Sequence, residues 1–297
     1  MSFLPRAANF GGLVPQLLTA VSRRLGWTRS SYFMASMFAA TLFVIGVVWW
    51  PLVEANLAII DWSQPLWLEV WRKMDWLLLF DFAVMSLLIM AGADLKADAL
   101  IVFVGFAGGL VIESWGTQTH LWTYFTLERP PLWIIPAWPI ASLSIDRLYR
   151  FLNRLTPLSL AQPPAGDVSR FTFLYWLIFP VFYALMLVFV WPTLDKSLTL
   201  SALILCALLI LSPTDTRAAV LTFLAGSGLG YFLELWGTTR LCWTYYTFET
   251  PPVFAVLAHG MAAVAFWRVS LLFRLTLLRL RAKICPSHHL SGDTHGY

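Results

Sequence analysis

The sequence predicts an all-α, polytopic membrane protein of about eight transmembrane helices, arranged as two parallel four-helix repeats. Three observations lead there. The chain has 297 residues, 59% hydrophobic and 12% charged, with a mean hydropathy of +0.72. A soluble domain carries about 25% charge, so this chain cannot cover a water-facing surface, which excludes a soluble enzyme and a disordered chain. Apolar stretches recur at the length that crosses about 30 Å of hydrocarbon. A 35-residue segment also returns 121 positions later.

The apolar stretches lie near 32–52, 76–93, 97–116, 131–151, 171–192, 198–212, 218–237 and 252–275. The sixth is short and is expected to extend at one end. Residues 1–31 form an N-terminal segment in which 12–22 suit a helix lying on the membrane. Arg23, Arg24 and Arg29 precede the first span without a small-residue cleavage site, so no cleavable signal peptide is expected. A polar insert at 54–75, containing the stretch from Asp61 to Asp75, suits an interfacial helix or loop. The first repeat then covers 32–155, a Pro-rich linker 156–170, the second repeat 171–275, and a tail 276–297. Fifteen of the 20 Lys and Arg residues fall on the side shared by the termini. That bias predicts cytoplasmic termini in a multi-pass inner-membrane protein. The net charge of +4 is spread over short loops and gives no nucleic-acid surface. Cys206, Cys242 and Cys285 are too few and too scattered for a disulfide framework.

Residues 113–147 and 234–268 align without a gap, identical at 14 of 35 positions. The shared pattern is E-x-W-G-T-x4-W-T-Y-x-T-x-E-x-P-P. The same offset pairs Asp94 with Asp215, Gly105 with Gly226 and Gly109 with Gly230. Four spans per repeat is an even number, so both repeats would share one orientation. Gly105, Gly109 and Glu113 lie four apart, as do Gly226, Gly230 and Glu234, which places each set on one helix face. The glycines admit close packing. Counted from Lys96, Glu113 lies on the order of 25 Å along its span, in the outer third of the membrane. An ionisable group at that depth is a functional-site candidate, and a carboxyl there could donate or relay a proton.

Glu113 and Glu234 are therefore the candidate catalytic residues. The candidate binding set is Trp115, Thr117, Trp122, Tyr124 and Glu128 in the first motif. In the second it is Trp236, Thr238, Trp243, Tyr245 and Glu249, with His259 beyond it. Gly116 and Gly237 are expected to turn the chain out of the helix, the W-T-Y aromatics to anchor at the interface, and the Pro pairs to start the next span. The competing reading is that each Glu merely pins its own loop through hydrogen bonds. The repeats also differ: His120 stands opposite Leu241, Trp138 opposite His259, Thr119 opposite Arg240, and Asp146 opposite Trp267. Asp81 is a further membrane acid, and the tail Cys285 with His288, His289 and His295 is only a weak metal candidate. No metal site is assigned, and the cofactor is left open.

Glu113, Gly116, Thr119 and Tyr124, followed by a Pro-led span, resemble the motif of integral-membrane carotenoid-biosynthesis proteins of the hydratase type. The likeness covers about 15 residues, and the second half has Arg240 where Thr would stand. It implies acid-catalysed addition of water to a polyene in the bilayer, with a Glu as proton donor. Three functions are expected to compete. One is an enzyme acting on, or binding, a lipid-like or isoprenoid molecule by carboxyl acid–base chemistry. Another is a small transporter or lipid carrier. The last is a non-catalytic subunit docked on membrane-protein partners.

Overall fold

The structure, a computed structural model, describes residue 22 and residues 26–156 and 165–284. Helices α1 (Arg29–Val48), α2 (Trp50–Leu57), α3 (Leu66–Lys73), α4 (Trp76–Met90) and α5 (Leu95–Gln118) lead to strand β1 (Trp122–Tyr124) and α6 (Ala137–Leu155). Then come α7 (Ala165–Val190), α8 (Ser197–Leu211), α9 (Thr216–Thr239), strand β2 (Trp243–Tyr245) and α10 (Val253–Ile284). Among the described residues, five helices (α1, α5, α7, α9 and α10) are long and apolar enough to cross a membrane; α4 and α8 are apolar but shorter. The sixth apolar stretch does not extend: α8 stops at 15 residues. The expected surface helix at 12–22 and the Cys/His tail lie outside the described residues, apart from residue 22. The linker is partly helical, because α7 begins at Ala165, and α10 carries helix to Ile284.

The fourth span was expected from 131, yet α6 starts at Ala137. Pro136 explains the delay, since its ring has no N–H to donate and would clash with the carbonyl four residues back. In the second half no proline stands at the matching position, and α10 starts at Val253, directly after Pro252. The Pro pairs precede their helices in both halves, but only the second pair abuts one.

Helix starts follow local chemistry. The Asp94 carboxylate caps α5 by accepting from the Lys96 and Ala97 amides, and Asp215 caps α9 by accepting from the Ala218 amide. Helices α5 and α6 pack together, as do α9 and α10, and α9 also meets α6 and α7. Near the arginine-rich end, Arg147 donates to Asp98 at 2.6 Å and to the Ala91 carbonyl at 3.0 Å, with both ionic side chains almost fully buried. The corresponding Arg268 instead donates to the Leu209 carbonyl and the Ser212 hydroxyl.

Removing one partner of a buried ion pair costs up to about 3–5 kcal/mol, and Arg147 keeps Asp146 at 2.6 Å, which softens the loss. Asp98→Ala should therefore lower the thermal midpoint in mild detergent. Replacing both partners with apolar residues should recover most of the loss, and an unchanged midpoint for Asp98→Ala would show that the pair carries no stability.

Candidate functional site

Glu113 and Glu234 sit one and a half turns before the ends of α5 and α9, and each is buried (4% and 3% exposed). Each carboxylate accepts three hydrogen bonds in the same pattern. Glu113 takes Trp122 Nε1 on Oε2, and Tyr124 Oη and Trp138 Nε1 on Oε1, all at 3.0 Å. Glu234 takes Trp243 Nε1 on Oε2 at 2.9 Å, and Tyr245 Oη and His259 Nε2 on Oε1 at 2.8 and 2.9 Å. Burial, and after it the adjacent carboxylate, holds both tyrosines well above the ordinary phenol value. Each phenol thus keeps the proton it donates.

The turn that returns these donors to the carboxylate is not made by Gly116 or Gly237. It is a Schellman turn. His120 and Leu241 adopt φ of 61° and 54°, and the next amides, of Leu121 and Cys242, donate to the Gly116 and Gly237 carbonyls at 2.9 and 2.8 Å. The glycines do something else. A Cβ on Gly116 would lie 1.9 Å from the Trp122 indole, and one on Gly237 would lie 2.0 Å from Trp243. These glycines let the indole lie flat on the helix and reach back to the Glu. Gly109 and Gly230 make the same room for Trp138 and His259.

The W-T-Y segments are not interface anchors. They pair antiparallel, Trp122 with Tyr245 and Tyr124 with Trp243, and these four side chains are buried. Flanking amides extend the pairing: Phe125 N–H donates to the Cys242 carbonyl and Tyr246 N–H to that of Leu121. The ribbon joins both motifs into one assembly. Trp115 and Trp236 cross between the halves as well, donating to Thr199 Oγ1 at 3.2 Å and Asp75 Oδ2 at 2.9 Å. Thr117 and Thr238 bond back to the carbonyls of Glu113 and Glu234. Glu128 accepts from Trp49 instead of joining Glu113, and Glu249 is exposed; the expected two-carboxylate patches do not form. Asp81 is buried on α4 with no hydrogen-bond partner on Oδ2.

Sequence reading missed two participants. Trp138 is the third donor to Glu113, a role signalled by its place 121 residues before His259. Asp75 receives Arg240 at 2.8 Å as well as Trp236, a contact 165 residues apart that no local pattern announces. The two halves then meet face to face: the Trp138 and His259 rings stack at 5.8 Å between centroids, 19° from parallel. Trp138 fills its place with an N–H that never titrates, whereas His259 puts a titratable ring there, with 19% of its side chain exposed. Among the described residues no group of three or more His, Cys, Asp or Glu could hold a metal ion. Compared with family models, curated proteins and solved structures, the chain matches none.

Removing a shared acceptor strands two buried donors, each at about 1–3 kcal/mol, and a third that is partly buried. Glu113→Ala and Glu234→Ala should both lose several kcal/mol of stability. Glu→Gln should also destabilise, because the new NH2 faces an indole that can only donate. Thermal unfolding of the purified variants decides this, and stable Ala variants would disprove the anchoring role.

At Asp75, burial opposes ionisation most strongly. Arg240, the Leu78 amide and Trp236 outweigh it and hold the carboxyl below its usual value. A depressed pKa means the stabilisation is complete above the ordinary aspartate value and is lost as pH falls through the lowered one. Asp75→Asn should cost about 1 kcal/mol or less at pH 7 and nothing in strong acid. A midpoint difference that stays constant from neutral to acid pH would refute this.

Proposed function

We propose that the chain is an integral inner-membrane protein whose eight principal helices cross as two parallel four-helix repeats. The arginine-rich end and both termini face the cytoplasm, and the ribbon faces outward. On this reading the protein performs proton-transfer chemistry on a lipid-like or isoprenoid molecule held near the contact between the halves. One observation carries the proposal: the unlike residues at a single matched position, where the second half holds His259 on Glu234 and the first half holds Trp138 on Glu113.

The chemistry follows from the hydrogen bonds. With Nε2–H donating to Glu234, the Nδ1 atom of His259 is the ring position left to exchange a proton with a substrate. Glu234 orients the ring and fixes which nitrogen carries the proton, as carboxylate–imidazole pairs do. Glu113, filled by two indoles and a phenol, holds the scaffold. The expectation that both Glu carboxyls act directly on substrate is thus narrowed to one Glu acting through a His. Trp138 and Phe266, with ring centroids 6.0 Å apart, offer the aromatic faces that favour a developing cation. Hydration of a polyene, the reaction implied by the motif resemblance, belongs to this class.

His259→Gln is the discriminating variant, because it keeps a donor for Glu234 and removes the titratable ring. Lipids that co-purify with the protein name the compounds to assay. Turnover should fall about 100-fold or more while the thermal midpoint holds. Full turnover by His259→Gln would overturn the proposal.

A further inference from the structure

A second polar feature lies at the opposite end of the helices from the ribbon. A partly open cavity of about 300 Å³ is enclosed by α5, α6, α9 and α10. It sits on the line where the halves meet, because its walls are pairs of matched positions 121 apart. Asp146 faces the cavity with Trp267, Tyr149 with Ser270, Arg150 with Leu271, and Ile101 with Thr222. The motif kept its polar residues in both halves, whereas at the cavity every such pair differs. A cavity lined identically would suit a symmetric ligand or none. This one has a donor-rich side and an apolar side, and so suits a single molecule with unlike ends.

The polar side combines Arg150 and Arg274 with the Tyr149, Thr222 and Ser270 hydroxyls and a single acid. Thr222 and Ser270 are 4% and 8% exposed, and neither hydroxyl has a hydrogen-bond partner among the described residues. Buried hydroxyls are ordinarily paired, so two that open on one cavity are free to bond the oxygens of a ligand there. Arg274 lines the same cavity and has no ion pair among the described residues. The one acid there, Asp146, is already held by Arg147 at 2.6 Å and Arg150 at 2.9 Å. Three arginines against Asp146 and Asp98 leave a net positive charge at this end, carried by the exposed Arg274. The remaining wall, with Ile145, Phe266 and Leu271, is apolar.

We infer that this cavity binds the phosphate-type anionic head of an amphiphile. Arg274 supplies the charge, the Thr222 and Ser270 hydroxyls reach the head's oxygens, and the apolar wall receives the start of the chain. The site lies apart from the His259–Glu234 pair, shares only Phe266 with the aromatic faces beside it, and stands without it. His259 precedes Phe266 by seven residues on α10, about 10 Å along the axis.

The test is calorimetric titration of the full-length protein in a neutral detergent. The probes are short-chain phosphatidic acid, short-chain phosphatidylcholine and inorganic phosphate. Phosphatidic acid should bind one to one and weaken as salt rises. Arg274→Gln should weaken it about tenfold or more, and Thr222→Val with Ser270→Ala should weaken it further. His259→Gln should leave it unchanged, which separates failure here from failure of the proton-transfer reading. Competition by inorganic phosphate at equal concentration would keep the anion site and assign it to free phosphate. Equal binding of phosphatidylcholine, or undiminished binding by the Arg274 and hydroxyl variants, would overturn the inference.

Discussion

A carboxylate inside a membrane helix must be given donors, and most of this structure can be read as the means of supplying three to each of two. A lone buried charge is expensive unless it is hydrogen-bonded. The α5 and α9 backbones cannot help, since their amides are already used within the helix. Donors must come from elsewhere, and each local feature delivers one. The Schellman turn reverses the chain. The missing side chain at Gly116 or Gly237 lets an indole lie against the helix, and the three-residue strand aims Trp and Tyr at the same carboxylate. Gly109 and Gly230 admit the third donor from the following helix. The left-handed conformations of His120 and Leu241 cost free energy in residues that bear a Cβ, and the carboxylate network offsets that cost.

The ribbon makes the two networks interdependent. Its strands would be too short to stand alone, since an isolated hairpin is at best marginal in water. Here each strand is pinned on one side by its own carboxylate and on the other by its partner strand. The Trp115–Thr199 and Trp236–Asp75 bonds then tie each motif to the opposite half. Loss of either carboxylate therefore loosens both halves.

Much of this was legible in the sequence. The membrane class came from composition, and the helices from the length of the apolar runs. The importance of Glu113 and Glu234 came from a motif held at one offset. The mechanism behind the motif was harder to read. Gly116 looked like a helix breaker because a glycine near a helix end usually is one, but its role depends on a ring arriving six residues later. The W-T-Y aromatics looked like interface anchors because Trp is common there, and burial became visible only once the two copies were paired with each other. The delayed start of α6 was readable in principle from Pro136. The Asp75–Arg240 bridge was not, because nothing in a local pattern joins residues so far apart.

Asymmetry is the remaining argument, and it runs along the axis where the halves meet. A scaffold of two matched networks that only needed to stand would gain nothing from unlike residues at matched central positions. This chain kept the carboxylates, the strand aromatics and the glycines alike, and varied what faces the axis. At one level Trp138 meets His259. Two turns further toward the arginine-rich end, Asp146, Tyr149 and Arg150 stand against Trp267, Ser270 and Leu271. The first difference introduces a group that can exchange a proton, and the second introduces hydroxyl donors beside a net positive charge. Both lie between the halves, about 12–18 Å apart along α10, with Phe266 between them. A molecule with an anionic head and an apolar chain is the kind of ligand that could meet both differences at once. The matched carboxylate networks at the far end hold the two halves in register.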